Sequence, residues 1–258
     1  MLAEAASPRQ SLIGIRYDVV DRKGLFSAIK YAAEHRQSRN ILNVNIHAMN
    51  LAYRDAQLSE VLDKADMVFV DGTGVKLGCQ LARMPVGDRM TPMDWLPELF
   101  EHCAEHQWPV FLLGDTEEMG RRFAAALKAR VPDCPFAGYH HGFFSREGEE
   151  NERVIEQINR SGARILLVGM SMPIQEKWIA ENASRLNPSV RLATGAFHRV
   201  YSGDILRGPK WMTDNGLEWL YRLCVQPQTW RRYILGNPLF LWRVWRCHYR
   251  RILKLESD

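Results

Sequence analysis

No two of the five cysteines in this 258-residue sequence form a CxxC pair; Cys79, Cys103, Cys134, Cys224 and Cys247 are odd in number and scattered. This pattern argues against a disulfide framework and a cysteine zinc site, and it predicts a reducing, cytoplasmic compartment. Long apolar runs are missing too. Nowhere do about 18 apolar residues follow one another, and the opening LAEAASPRQ has no basic region leading into an apolar one, so the chain is expected to be neither membrane-spanning nor secreted. There is no GxSxG, no HExxH, no Cys–His constellation and no Asp-x-Asp. Gly72, Gly74 and Gly78 are spaced GxGxxxG rather than GxGxxG, which removes the dinucleotide fingerprint. Internal repeats and low-complexity tracts are also lacking.

What is present is ordinary globular composition, 46% apolar and 25% charged, with an uneven charge distribution. Residues 197–258 hold eleven Lys/Arg against five Asp/Glu and five of the eight tryptophans, whereas residues 1–196 are close to neutral. Basic plus aromatic is the composition of a surface that meets phosphates or lipid headgroups. Short apolar runs at Leu12–Ile15, Ile41–Ile46, Met67–Val70, Val110–Leu113, Ile165–Val168 and Val190–Ala193 read as buried strands. Helical patterns lie between most of them, at Gly24–His35, Leu51–Lys64, Trp95–His106, Glu117–Val131 and Ile174–Leu186, and SREGEENE at 145–152 reads as a solvated loop or helix start. The alternation predicts an α/β fold: a mainly parallel, Rossmann-like sheet with helices on both faces. Residues 1–196 are expected to form that catalytic domain. Residues 197–258 are expected to be a basic, aromatic, helical appendage that docks on a membrane and completes the active site. From Leu239 onward, Leu241, Trp245, Tyr249 and Ile252 follow helical spacing, beside a second stripe of Arg243, Arg246, Arg250 and Lys254.

In open α/β sheets the ligand crevice lies outside the carboxyl ends of the strands, so polar residues there are the first candidates for chemistry. Asn43, Asn45, Asp71 and Thr73 stand at two such ends. The segments FVDGTGV, LLGDTEE and LVGMSMPIQE each join a strand to a helix through a Gly-bearing loop, a geometry that suits a diphosphate but that tight βα turns also need for packing. Asp71 in its Asp-Gly pair is either a turn former or a catalytic carboxylate. His140-His141 lacks a ligand partner at metal spacing and reads as structural.

The ordered blocks ADMVFVDGTGV, VFLLGDTEE, GYHHGFF, LLVGMSMPIQEKWI, GAFHRVYSG and GPKWMTDNGLEWLYRL resemble the WecG/TagA/CpsF family of bacterial glycosyltransferases from about Ile13 to Tyr233. The resemblance implies transfer of a sugar from a UDP-sugar to a polyprenyl-diphosphate-linked glycan, with inversion and without a metal. It places the chain peripherally at the cytoplasmic face of the inner membrane, on an anionic surface, as a homo-oligomer (a trimer by resemblance), with no nucleic acid and no cofactor. Asp71 matches the family's proposed base, which would take the acceptor hydroxyl proton. With no Asp-x-Asp to hold a metal, arginines would stabilise the leaving UDP: Arg89 as a catalytic residue, with Arg222, Arg231 and Arg232 from the C-terminal quarter. Asn43, Asn45, Thr73, Gly74, Gly114, Gln175, Glu176 and His198 complete the expected substrate contacts. The chain departs from the family pattern at Asn43, Ile46 and His47, at Met90-Thr91-Pro92, and at His198, which stands where the family has Asp. Glucose is therefore an alternative to N-acetylmannosamine as the donated sugar. Two other classes stand beside this reading: a Rossmann-type nucleotide-binding oxidoreductase and a non-catalytic partner of a polysaccharide assembly complex.

Overall fold

The structure, a computed structural model, describes residues 8–255, and side chains up to residue 249. In chain order, a hairpin of β1 (Arg9–Leu12) and β2 (Ile15–Asp18) leads through α1 (Arg22–His35) to β3 (Arg39–Val44), α2 (Ile46–Ala52), α3 (Ala56–Lys64) and β4 (Met67–Val70). The middle of the chain runs through α4 (Thr73–Leu81), α5 (Pro92–Glu105), β5 (Val110–Gly114), α6 (Glu117–Arg130), β6 (Phe136–His140) and α7 (Gly148–Arg160). Then follow β7 (Ile165–Gly169), α8 (Ile174–Asn182) and β8 (Val190–Ala193). Beyond the last strand lie α9 (Phe197–Tyr201), α10 (Lys210–Asp214), α11 (Glu218–Val225), a 3-10 turn at Pro227–Thr229, a π-helical turn at Arg231–Leu235 and α12 (Gly236–Leu255).

Strands β3 to β8 form one parallel sheet in the order β4-β3-β8-β7-β5-β6, the Rossmann-like α/β architecture expected from the alternation of runs. Every residue of β5 and β7 is buried, which is why these runs are apolar throughout rather than alternating with polar residues. Successive side chains go to opposite faces. Ile41, Val110, Leu112, Ile165 and Leu167 enter one core cluster, while Leu42, Phe111, Leu113, Leu166 and Val168 enter the other.

Several elements differ from the pattern reading. The run Leu12–Ile15 is not one strand: Ile13 and Gly14 both have positive φ (52° and 86°) and form the two-residue turn of the β1–β2 hairpin. Strand β3 stops at Val44, because the Asn45 side chain accepts from Ala48 N and caps α2. The pattern over 51–64 is two helices, since Asp55 caps α3 by accepting from Leu58 N. Periodicity missed α4 and β6, and segment 145–152 proves to hold the start of α7.

The last quarter starts inside the core. Phe197 and Tyr201 of α9 pack with Phe100 and Phe123, at centroid separations of 5.3 to 6.4 Å. Helix α11 buries none of its residues, whereas α12 buries Phe240 and Val244 among α2 and α4 side chains. The arginine stripe of α12 is not a free solvent face. Arg243 is buried, donates to Asn50 Oδ1 at 2.7 Å and lies over the Tyr53 ring at 4.1 Å, and Arg246 donates to the Tyr53 hydroxyl at 3.0 Å. Trp242, Trp245 and Tyr249 face outward instead; the side chains of Arg250, Ile252 and Lys254 lie outside the described residues. Among the described residues, no helix is long and apolar enough to cross a membrane.

Candidate active site

A cavity of about 440 Å³ opens at the carboxyl ends of β4, β3 and β8 and is roofed by the chain beyond residue 213. Because β3 and β4 pair in register at Val44 and Val70, the residues just beyond their ends meet, and Asp71 N donates to Val44 O at 2.9 Å. That register sets Asn45 and Asp71 side by side, with Asn45 Nδ2 3.4 Å from Asp71 Oδ2. One side chain of Asn45 thus serves two ends: Oδ1 caps α2 and Nδ2 donates to the carboxylate. Asn43 is tied into the sheet by donating to Ala193 O at 2.6 Å, so it forms the cavity floor.

The half-buried Asp71 carboxyl has its pKa raised, first by burial and further by the charge of Glu218, against the pull of Asn45, Arg222 and Thr91. A carboxylate held in this way is more basic than an ordinary aspartate and opens onto a space that admits substrate. His47 also lines the cavity. Burial, with the nearby Arg232 charge, lowers its pKa to about 4, so its imidazole is neutral at physiological pH.

Three arginines face these groups in different states. Arg89 donates to Thr213 O at 2.8 Å and pairs with Asp94 at 3.5 Å, which fastens the segment before α11 to the start of α5. Asp94 also pairs with Arg207 at 2.5 Å, while Arg222 pairs with Glu218 at 3.5 Å. Arg232 makes no ion pair with any described residue, and burial lowers its pKa first of all, partly offset by Tyr233 and Asp71. Gly216, at φ 73°, brings the roof so close that a Cβ there would stand 2.7 Å from Thr73 Oγ1.

Of the residues singled out from sequence, Asn43, Asn45, Asp71, Thr73, Gly74, Arg89, Arg222 and Arg232 line this one cavity. Gly114, Gln175, Glu176, His198 and Arg231 do not. Gly114 is buried in β5, and Arg231 is exposed beside the Trp230 ring. Gln175 and Glu176 stand behind the wall: Gly195 N donates to Gln175 Oε1 at 3.2 Å, and Gln175 Nε2 donates to Glu176 Oε1 at 2.8 Å. They shape the Gly195 loop rather than touch the cavity. Burial pushes the Glu176 carboxyl up to about 7. His198 is likewise buried, with Nε2 3.0 Å from Asp115 Oδ2; burial lowers its pKa against the pull of that carboxylate.

The sequence reading passed over Ser171, Glu218, Trp219, Tyr233 and Asn237, which also line the cavity. Glu218 and Trp219 lie within the GLEWLYRL block, whose compactness was the available signal. Among the described residues, one group has metal-ligand geometry, His102, Glu105 and His106, and none of the three lines the cavity.

A family model described as Glycosyl transferase WecG/TagA/CpsF family matches residues 10–253. The N-acetylglucosaminyldiphosphoundecaprenol N-acetyl-beta-D-mannosaminyltransferases of Staphylococcus aureus strains MRSA252 and NCTC 8325 / PS 47 are each 26% identical to this chain over 237 residues, covering 90% of it and 91% of their own length.

Proposed function

The chain is a glycosyltransferase of the WecG/TagA/CpsF family, and on that premise we propose that it moves N-acetylmannosamine from its UDP conjugate to a polyprenyl-diphosphate-linked N-acetylglucosamine. The observation that carries the reading is the pairing, across one cavity, of Asp71 with raised basicity and Arg232 without a carboxylate partner among the described residues. Asp71 takes the proton of the acceptor hydroxyl as its oxygen attacks the anomeric carbon. The bond from that carbon to the diphosphate breaks on the opposite side, which inverts the centre, and the electron pair goes to the β-phosphate oxygen. Arg232 and Arg222 meet the charge that develops there, the role a metal would fill in a site with an acidic pair. Arg89 contributes from the rim while holding Thr213. His47, neutral at working pH, faces the donor without competing for the acceptor proton.

In this reading the acceptor is lipid-linked and the donor is a soluble nucleotide sugar, so the enzyme works peripherally at the cytoplasmic face of the inner membrane. The outward Trp242, Trp245 and Tyr249 of α12 supply an aromatic contact for that interface, with residues 197–258 as the docking and site-completing unit. Assembly into a homo-oligomer is part of the same reading.

The test is UDP release from a panel of UDP-sugars in the presence of a short-chain polyprenyl-diphosphate N-acetylglucosamine, with chelator. UDP-N-acetylmannosamine is expected to turn over in chelator. Turnover of UDP-glucose alone moves the donor assignment, and activity restored only by magnesium or manganese overturns the arginine account of the leaving group.

A further inference from the structure

Far from the cavity, one cluster of ligand-forming side chains is unused by the proposed reaction. His102, Glu105 and His106 stand at i, i+3 and i+4 at the C-terminal end of α5, hence on one face of the helix. Their candidate ligand atoms all lie within 4.8 Å of one another. His102 Nδ1 is 3.6 Å and His106 Nδ1 is 3.7 Å from the same oxygen, Glu105 Oε2. A tetrahedral zinc ion with bonds of about 2.0–2.2 Å sets its ligands about 3.4 Å apart. Two edges of the ligand triangle are therefore already close to what the ion requires, and the third is within 4.8 Å.

The surroundings favour the same occupant. His102 packs on Phe26 at 5.3 Å and His106 stacks on Trp108 at 4.7 Å, so both rings are held in place without an ion. The negative end of the α5 dipole adds attraction for a cation. Two imidazoles with one carboxylate select borderline transition metals over magnesium or calcium, which prefer oxygen-only shells. His35 provides the contrast. It too ends a helix, with Nδ1 3.0 Å from Tyr31 O and its ring stacked on Tyr31, but among the described residues it is in no group with metal-ligand geometry.

We propose that His102, Glu105 and His106 bind a divalent transition-metal ion of the zinc class, with water in the fourth position. His106 Nδ1 lies 3.1 Å from His102 O, so ligation through Nδ1 exchanges that helix-end hydrogen bond for a metal bond. The same helix contributes Pro92 and Met93 to the cavity wall at its other end, about 18 Å along the axis at the usual rise per residue. The ion therefore fastens the last turn of α5 and takes no part in sugar transfer.

The experiment is calorimetric titration of zinc into the chelator-treated full chain near neutral pH, with cobalt(II) absorption as a spectroscopic readout and a thermal melt with and without zinc. One ion per chain is expected, with a tetrahedral cobalt spectrum and a melting midpoint that rises with zinc concentration. His102→Ala and His106→Ala should each weaken binding by at least about tenfold. Because His102 packs on Phe26, His106→Gln provides a variant that leaves that contact alone, and circular dichroism checks its fold. Binding of unchanged affinity and stoichiometry in folded His106→Gln, or the lack of saturable binding by the wild-type chain, overturns the proposal.

Discussion

The sheet spanning residues 39–193 and the chain beyond residue 197 are built on different terms. In the sheet, β5, β7 and β8 are buried throughout and each side chain's place follows from the two-residue period, while the edge strand β6 is half-buried. Beyond residue 197 the chain is held at a few anchors: Phe197 and Tyr201 in the core, Thr213 O on Arg89, Gly236 O on Asn50, and Phe240, Val244 and Arg243 against α2 and α4. Between those anchors α11 buries nothing, yet this stretch supplies Glu218, Trp219, Arg222, Arg232 and Tyr233 to the cavity. Burial makes the scaffold and places Asp71; a loosely packed segment brings the cations. Elements that must admit and release a substrate are drawn from the less stable part of a structure.

The largest expected effect is chemical and lies on the scaffold side. Asp71→Asn keeps the shape and removes the basicity, so turnover should fall about 10²- to 10⁴-fold with UDP affinity retained. A rate above about a third of wild type would move the base elsewhere. The wild-type rate should fall as pH drops through a value above that of an ordinary aspartate, because burial raises the carboxyl. On the other side, Phe240→Ala removes the fully buried anchor of α12 and should cost about 3–5 kcal/mol in denaturant unfolding. A loss under about 1 kcal/mol would mean that α12 is held by its arginines rather than its apolar seam. Arg232→Ala should leave the unfolding midpoint nearly unchanged while lowering turnover about 10²-fold or more, the size expected for one donor to a developing oxyanion. Equal loss of stability and turnover would erase the distinction between anchor and cation.

How far each region could be read from sequence follows the same division. Strand positions such as Ile165 to Val168 announced themselves because full burial demands apolar residues. The α4 helix did not, since its first turn, Thr73-Gly-Val, carries the glycines of a loop and its ends lack a side-chain cap. At the site, Asn45 and Asp71 were legible as polar residues at strand ends, and β3–β4 register brings them together. Gln175, Glu176 and His198 were placed in the substrate contacts by resemblance, and in the fold they stand behind the Gly195 loop. One-dimensional spacing does not tell a lining residue from one that props the lining. Arg231 and Arg232 are neighbours in sequence, and only the π-helical turn decides which one faces inward.

Glu176 offers a smaller effect, confined to the scaffold. Its folded pKa, about 7, lies above that of an unfolded glutamate, so the folded state holds a proton that the unfolded state releases. The contribution is therefore complete below about pH 4.5 and is lost as pH rises through 7, on the order of 3 kcal/mol. Glu176→Gln keeps the acceptor for Gln175 and has no proton to lose. The difference in unfolding free energy between variant and wild type should thus shift in the variant's favour from pH 5 to pH 8. A difference independent of pH would show that the carboxylate is solvated in the folded state.

The smallest expected effect on stability tests the outer face of α12. Trp242 and Trp245 are 49% and 61% exposed, so replacing either with Ala should change unfolding by no more than about 0.5 kcal/mol. Among the described residues, these two rings and Tyr249 are the large apolar groups that α12 leaves facing outward, because Phe240 and Val244 fill the inward seam. Arg243 and Arg246, in turn, are bound to Asn50 and Tyr53. Among the described residues, docking through this face, as proposed, would rest more on aromatic insertion than on free arginines, and it should depend less on salt than a purely basic surface would. The measurement is co-sedimentation of the Trp242→Ala, Trp245→Ala double variant with anionic liposomes, at low and moderate salt, beside sedimentation velocity of the protein alone. Loss from the liposome pellet with an unchanged sedimentation coefficient supports membrane docking by this face. Retention in the pellet sinks it, and a smaller particle in the variant would assign the tryptophans to a contact between copies of the chain.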